Sequence, residues 1–131
     1  MEWVRRYGGL HEKGAKPFKA DGTPSRQLLI ALLFVEGKAV KLRRDILTKV
    51  GVDKEKAKTQ GYNSSLFQTL TYNQVIKYDT EKRVYVAGSK HKEFLKYCAE
   101  YMVLKGFHKK KRKVYLTMMR ESSQAMHFIL E

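Results

Sequence analysis

Residues 63–72 carry a run of uncharged side chains that donate and accept hydrogen bonds, in a chain otherwise rich in charge. Leu66, Phe67 and Leu70 recur among them at the spacing of one helical face, which predicts a helix over residues 62–72. Amide and hydroxyl groups exposed on such a helix can meet base edges and phosphate oxygens. An ordinary solvated surface is the alternative interpretation. The candidates for contact with a ligand are Asn63, Ser64, Ser65, Gln68, Thr69 and Tyr72.

The chain as a whole is strongly basic. Its 131 residues include 27 Lys and Arg against 13 Asp and Glu, which gives a formal net charge of +14. Such a surface favours a polyanion as partner, because neutralising phosphates releases the counterions condensed on them. A basic surface that serves solubility alone is the alternative. The apolar fraction of 43% is typical of a folded protein rather than a disordered one.

Basic side chains occur in four groups that could contact phosphate. Three of these groups surround the polar helix in sequence, and their members are Arg43, Arg44 and Lys49, then Lys54, Lys56 and Lys58, then Lys77, Lys82 and Arg83. The fourth is the densest run of charge in the chain and consists of Lys109, Lys110, Lys111, Arg112 and Lys113. A run of this kind is typical of a phosphate-binding patch, a nuclear import signal or a solvated loop, and its pattern does not separate them.

Apolar spacing predicts the helices that hold these side chains in place. Leu28–Val35 is the longest apolar run and predicts a central helix capped by Thr23, with a buried strand as the competing interpretation. Leu42–Val50 predicts a second helix, and residues 54–59 a polar turn that either stands alone or begins the third helix. The positions expected to be buried are Leu29, Leu32, Leu33, Ile46, Leu66, Leu70, Val84 and Phe94.

A two-stranded ribbon is predicted after the third helix. Val75–Tyr78 and Arg83–Val86 are rich in β-branched and aromatic residues, alternate in polarity and are joined by the turn Asp79–Lys82. Ser89 is expected to cap a further helix that ends near Gly106. That helix either completes the core or mediates dimerisation.

The two ends of the chain are expected to be appendages of one domain. The expected division is an irregular basic arm over residues 1–24, a folded domain over residues 25–106 and a basic extension over residues 107–131. In the arm, Trp3 and Phe18 are expected to pack back on the core, while its charges could lie along a phosphate backbone. In the extension, Val114–Met119 alternates as a strand does, and Ser122 or Ser123 could cap a final short helix.

No residue pattern typical of an enzyme or a metal protein is present in the sequence. The histidines lack metal-ligand spacing, and the single cysteine, Cys98, excludes an internal disulfide. We therefore expect no cofactor, no metal and no catalytic residue. A nuclease site built from scattered carboxylates is the open alternative, and its members would be Asp45, Asp53, Asp79 and Glu93.

The apolar runs of the chain are all far shorter than the ~20 residues of a membrane span. One cysteine suits a reducing compartment. We therefore expect an intracellular location, cytoplasmic or nucleoid-associated, without a membrane.

The order of helix, helix, helix and two-stranded ribbon over residues 25–88 resembles the winged helix-turn-helix family of DNA-binding proteins. The resemblance rests on element order and apolar spacing. In that family the third helix enters the major groove and the ribbon contacts the flanking backbone. The resemblance implies that residues 63–72 read bases while the surrounding Lys and Arg bind phosphate. The third helix departs from the common pattern, because it lacks the Arg or Lys that most often contacts guanine.

Together these patterns predict an α+β, mainly helical protein that binds duplex DNA, specifically or semi-specifically, and regulates transcription or replication, with a homodimer as one possible form. One alternative is a module that binds a protein partner, such as an inhibitor or accessory subunit of a nucleic-acid enzyme. Asp79 and Glu81 at the tip of the ribbon suit that alternative. The other is an RNA-binding protein, in which the eight tyrosines offer stacking surfaces.

Overall fold

A computed structural model describes residues 16–59 and 64–120, and the structural statements below concern these residues. The fold is α+β and mainly helical, as predicted. Its helices are α1 (Arg26–Leu33), α2 (Arg43–Lys49), α3 (Lys54–Lys58), α4 (Ser64–Tyr72), α5 (His91–Leu104) and α6 (Lys109–Arg120), with a short 3₁₀ helix at Val35–Gly37. Its strands are β1 (Ile76–Asp79) and β2 (Val84–Ala87), which pair antiparallel.

Helix α1 is the centre of the core. Its residues Leu28–Leu32 are all buried, so the helical prediction is confirmed and the strand alternative is wrong. The predicted cap is wrong by two residues. Ser25 is the N-cap, and its Oγ accepts a hydrogen bond from the Leu28 N–H at 3.3 Å. Thr23 lies two residues before the N-cap, and its hydroxyl donates to the carboxylate of Asp21.

The ribbon turns Tyr85, and not the expected Val84, toward the core. Tyr85 and Ala87 pack against the core, whereas Val84 lies on the other face and is only half-buried. The strands also begin one residue later than predicted, so Arg83 belongs to the turn, with a φ of 56°. A bridge between Val40 and Tyr85 adds the segment before α2 to the ribbon, with hydrogen bonds of 3.0 and 2.7 Å.

Helix α5 closes the core opposite α1. Its buried face is formed by His91, Phe94, Tyr97, Cys98 and Met102. This face completes the core, which is one of the two roles predicted for the helix. The predicted cap is wrong, because the Ser89 hydroxyl donates to Oε1 of Gln74 at 2.6 Å and leaves α5 without a side-chain cap.

The imidazole of His91 joins α5 to α1. Its Nε2 lies 2.7 Å from the carbonyl oxygen of Ala31. Burial lowers the pKa of His91 because it disfavours the imidazolium, although the hydrogen bond to Ala31 acts in the opposite direction. The ring is therefore neutral at pH 7 and donates from Nε2 as a structural group.

The strand predicted at Val114–Met119 is wrong, because these residues belong to α6. Val114 and Leu116 are exposed, and Tyr115 between them is buried against Phe18, with ring centroids 5.3 Å apart. The Tyr115 hydroxyl also donates to the Gly22 carbonyl at 3.3 Å. One buried tyrosine thus sets the rotation of the helix, and the alternation of polarity has no structural role.

Phe18 packs on the core as predicted. Its ring contacts Phe107, Tyr115 and Tyr101 with centroid distances of 4.9, 5.3 and 6.0 Å. Trp3 and the helix predicted after Ser122 or Ser123 lie outside the described residues.

The burial predictions hold for most of the core. The predicted residues that are buried are Leu29, Leu32, Ile46, Leu70 and Phe94. Leu33 and Leu66 are half-buried and pack against the same core. No helix within residues 16–59 and 64–120 combines the length and the apolar character needed to cross a bilayer.

Candidate nucleic-acid interface

Helix α4 turns an uncharged polar face to solvent. Phe67 and Leu70 are each 1% exposed and fix its inner side, while Ser65, Gln68 and Tyr72 are exposed. Thr69 is half-buried. Two other predicted contact groups, Asn63 and the side chain of Ser64, lie outside the described residues.

The hydroxyls of α4 differ in what they can offer a ligand. Thr69 Oγ1 donates to the Ser65 carbonyl at 2.9 Å, and Thr71 Oγ1 donates to the Phe67 carbonyl at 2.8 Å. These protons are already used within the helix, so both hydroxyls are left mainly as acceptors. The amide of Gln68 makes no side-chain hydrogen bond among the described residues. Since it carries a donor and an acceptor side by side, Gln68 is the best-placed residue of the described face to read a base edge.

A row of cation–π and aromatic contacts connects α2, α4 and the ribbon. The guanidinium of Arg43 lies 4.6 Å from the ring centroid of Phe67, whose ring lies 6.0 Å from that of Tyr85. Tyr85 in turn meets Tyr78 across the ribbon at 4.9 Å. We call these four residues the aromatic link. Cation–π and aromatic contacts of this geometry are each worth about 0.5–1.5 kcal/mol, so together they hold the three elements at one relative position.

The tyrosines of the aromatic link were missed as site residues. The signal for them was present, because Tyr78 and Tyr85 are two aromatic residues placed symmetrically about a four-residue turn. Aromatic residues that face each other across two strands stabilise a ribbon. Tyr78 is also 45% exposed, so part of its ring is accessible to solvent.

The far end of the ribbon is held against the end of α4. Gln74 ends the helix in the left-handed region, with a φ of 60°, and the N–H of Gly88 donates to the Val75 carbonyl at 2.9 Å. The two backbones approach so closely that a Cβ on Gly88 would lie 2.6 Å from the Gln74 carbonyl carbon. A residue without a side chain is therefore required at position 88.

The turn of the ribbon is built by one of its acidic residues. Oδ1 of Asp79 accepts the N–H of Glu81 at 3.0 Å and that of Lys82 at 3.1 Å. This carboxylate is therefore occupied in shaping the turn. The neighbouring cations Lys77, Lys82 and Arg83 are exposed around it.

The basic groups of α2 and α3 lie together on two helices that pack against each other. Helix α3 ends at Lys58, because Thr59 has an extended backbone, so residues 54–58 are not continuous with α4. The ion pair of Lys58 with Glu55, at 3.9 Å between exposed groups, is weak and screened by salt. Arg43 differs from the rest because the aromatic link holds its guanidinium. The other members of this group, all exposed, are Arg44, Lys49, Lys54, Lys56 and Lys58.

The fourth basic group lies on a helix of its own. Lys109–Lys113 forms the start of α6, so the interpretation as a loop is wrong. Helix α6 packs against α5 and against the segment of Phe18 and Gly22. The α4 surface, in contrast, is assembled from α2, α4 and the ribbon.

Comparison with known proteins adds no information about the surface formed by α2–α4 and the ribbon. No protein-family model, no curated protein and no solved structure matches this chain. Its function has to be argued from the arrangement of its own residues.

The described residues include side chains that can bind metals or act as nucleophiles, among them Cys98 and several carboxylates. Within them, no three His, Cys, Asp or Glu side chains come together as a metal site. Cys98 is fully buried, and burial raises the pKa of its thiol well above the ordinary value, which keeps it protonated and shielded from solvent. Of the scattered carboxylates, Asp45 lies in the first turn of α2, where it is favourable to the helix dipole.

Proposed function

We propose that this protein is a winged helix-turn-helix protein that binds duplex DNA and regulates transcription or replication. In this proposal α4 enters the major groove and the ribbon lies along the flanking phosphates. The observation that carries the proposal is the aromatic link, which fixes an uncharged hydrogen-bonding helix beside a basic ribbon and a basic helix pair. A groove about 12 Å wide admits a helix.

The division of labour follows from the charges. Affinity comes from the exposed Lys and Arg of α2, α3 and the ribbon, which bind phosphate and carry no sequence information. Sequence discrimination comes from Gln68 and Ser65, because neutral side chains gain little from phosphate alone. The half-buried Thr69 and the internally bonded Thr71 shape the face and accept hydrogen bonds.

The absence of Arg and Lys on α4 has a chemical consequence for the target. A glutamine amide pairs best with the N6 donor and N7 acceptor of adenine. The favoured sites are therefore expected to contain an adenine at the base pair that Gln68 contacts. Guanine content at the other positions is expected to change the affinity little.

The change Gln68→Ala tests this division directly. We expect it to reduce the discrimination between the selected site and unrelated duplex by about 1–3 kcal/mol, since one bidentate base contact is lost. Binding to unrelated duplex should stay within twofold of wild type. The measurement is an equilibrium titration of both duplexes at one salt concentration, after selection of the preferred site from a random library.

Thr117→Ala is the control for an exposed polar truncation, because Thr117 is exposed on α6 and not on α4, and its hydroxyl donates to the carbonyl of Lys113. It should leave both affinities unchanged. If Gln68→Ala weakened selected and unrelated duplexes equally, α4 would not be the reading element.

A further inference from the structure

A cleft of about 640 Å³ lies between three segments of the chain. Its walls are the turn at Lys19–Pro24, the first residues of α1, and Val50 and Gly51 just past the end of α2. Its size lies within the range of about 300–1,000 Å³ that is usual for small-molecule sites. Among the described residues, those that line the cleft include none from α4 and none from the aromatic link.

The turn that forms the first wall is held in place by its own backbone. The N–H of Lys19 donates to the Thr23 carbonyl at 2.8 Å, and the N–H of Gly22 donates to the Lys19 carbonyl at 2.9 Å. The ring of Phe18 fixes the same segment to the core, 4.9 Å from the ring of Phe107 between centroids. A ligand therefore meets a wall that is already formed, and its binding requires little ordering of the chain.

Part of the lining of the cleft is apolar. It is supplied by Pro24, Leu29 and Val50, which are all buried residues. Gly51 beside them has no side chain and adds no bulk to the wall. Apolar surface of this kind stabilises a ligand that carries a ring or a short hydrocarbon group, and it offers nothing to a bare ion. The apolar wall thus distinguishes the cleft from a group of exposed cations.

The rim of the cleft has an excess of positive charge. Lys19 and Arg26 line it and are exposed, and within residues 16–59 and 64–120 neither forms an ion pair with a carboxylate. Asp21 also lines the cleft, but its Oδ1 already accepts the Thr23 hydroxyl at 2.5 Å and the Thr23 N–H at 3.0 Å. These hydrogen bonds lower the pKa of Asp21, and the charges of Lys19 and Lys111 lower it further. Three cations therefore accompany one carboxylate whose acceptor atom is in use.

We propose that this cleft binds a small phosphate monoester that carries an apolar or aromatic group. The phosphate contacts Lys19 and Arg26, whose guanidinium can donate two parallel hydrogen bonds to it. The apolar group lies against Pro24, Leu29 and Val50. A phosphate monoester carries a charge of about −1.5 to −2 at pH 7, which matches the excess of positive charge on the rim. The proposal goes beyond the proposed function, because the site takes a small molecule and requires no DNA.

Phenyl phosphate is the probe that tests this proposal. Its binding to the full chain is measured by isothermal titration calorimetry at low salt, with inorganic phosphate and phenol as comparison ligands. Phenyl phosphate should bind about tenfold or more tightly than either, because it alone uses both the rim and the apolar wall. Nuclear Overhauser effects from its ring protons to the methyl groups of Leu29 and Val50 should place the ring in the cleft.

The paired change Lys19→Gln and Arg26→Gln removes the cations of the rim. Both side chains are exposed, and Arg26 lies in the first turn of α1, where a cation is unfavourable to the helix dipole, so the fold should stay intact. The affinity for phenyl phosphate should fall about tenfold or more, since charge-assisted hydrogen bonds are lost. The matched control, Lys92→Gln with Lys96→Gln, removes the same charge from α5 and should retain the wild-type affinity.

Four results would overturn the proposal. Equal affinity for phenyl phosphate and inorganic phosphate would mean that the apolar wall takes no part. Equal losses in the two paired variants would mean that overall charge attracts the ligand. Ring contacts with other methyl groups would place the ligand elsewhere. Displacement of phenyl phosphate by duplex DNA, with weaker duplex binding by the rim variant, would assign the cleft to the DNA backbone. Failure of the proposed function looks different, because duplex binding would then be absent while phenyl phosphate still binds.

Discussion

Phe67→Ala is expected to lower the free energy of unfolding by about 3–5 kcal/mol, the usual range for truncating a buried phenylalanine. Phe67 is 1% exposed, so the change leaves a cavity beneath α4. It also removes the ring on which the Arg43 guanidinium and Tyr85 rest. Duplex binding by the molecules that remain folded should therefore weaken as well, because α4 and the ribbon lose their fixed relation. Urea unfolding measures the loss of stability. A titration with duplex DNA at low temperature, where the variant stays folded, measures the loss of affinity.

Phe94→Ala is the matched control for this loss of stability. Phe94 is fully buried on α5 and contacts Tyr97, with no part in the aromatic link. It should destabilise the fold to a similar extent and leave the affinity of folded molecules unchanged. If both variants lost the same affinity per folded molecule, the aromatic link would have no special role in positioning the surface.

The paired change Lys77→Gln and Lys82→Gln is expected to weaken duplex binding about 60-fold at 0.1 M salt. Each phosphate contact contributes about 0.9 to the slope of log affinity against log salt, so two lost contacts lower that slope by about 1.8. Both side chains are exposed on the ribbon, and their loss should leave the fold intact. Affinity for specific and unrelated duplexes should fall together, since phosphate contacts carry no sequence information.

Lys92→Gln with Lys96→Gln provides the comparison for the ribbon pair. These lysines are also exposed, they lie on α5 and not on the ribbon, and their removal subtracts the same charge. For this pair, the slope of log affinity against log salt should change by less than about 0.5. Lysines that do not touch the DNA act on it only through a long-range electrostatic attraction that salt screens. Equal slopes for the two pairs would mean that the ribbon makes no direct contact with the backbone.

The helices of this fold could be predicted because each buries a stripe of apolar residues at helical spacing. Leu29, Leu32 and Leu70 show this plainly, because all three are buried as expected. The cap of α1 could not be predicted, because Thr23 and Ser25 are both suitable cap residues. The structure has Ser25 as the cap, whose Oγ accepts from the Leu28 N–H, while the Thr23 hydroxyl donates to Asp21.

The face of the ribbon and the nature of residues 114–119 depended on distant contacts. Val84 and Tyr85 alternate equally well, and Tyr85 faces inward because the ring of Phe67 lies beneath it. Tyr115 is helical because Phe18 and Gly22, far away in the sequence, provide its contacts. Local alternation carries no information about either partner.

The candidate surface was predictable in composition and unpredictable in detail. Exposure of Ser65 and Gln68 followed from the apolar stripe of α4. The internal hydrogen bond of Thr69 and the contact of Arg43 with the Phe67 ring could not be predicted, because each depends on where a neighbouring group lies in the fold. The sequence therefore identifies the helix, and the structure identifies which of its side chains remain available.

The most direct measurement is the binding of the wild-type chain to random duplex DNA over a salt series, with single-stranded DNA and RNA as competitors. The account predicts that affinity falls about 10³-fold or more between 50 mM and 200 mM salt, as for six or more phosphate contacts. It also predicts that duplex DNA competes better than either single-stranded DNA or RNA. Weak binding at low salt despite the net charge of +14 would contradict the account and favour a protein partner, and stronger competition by RNA would contradict the duplex assignment.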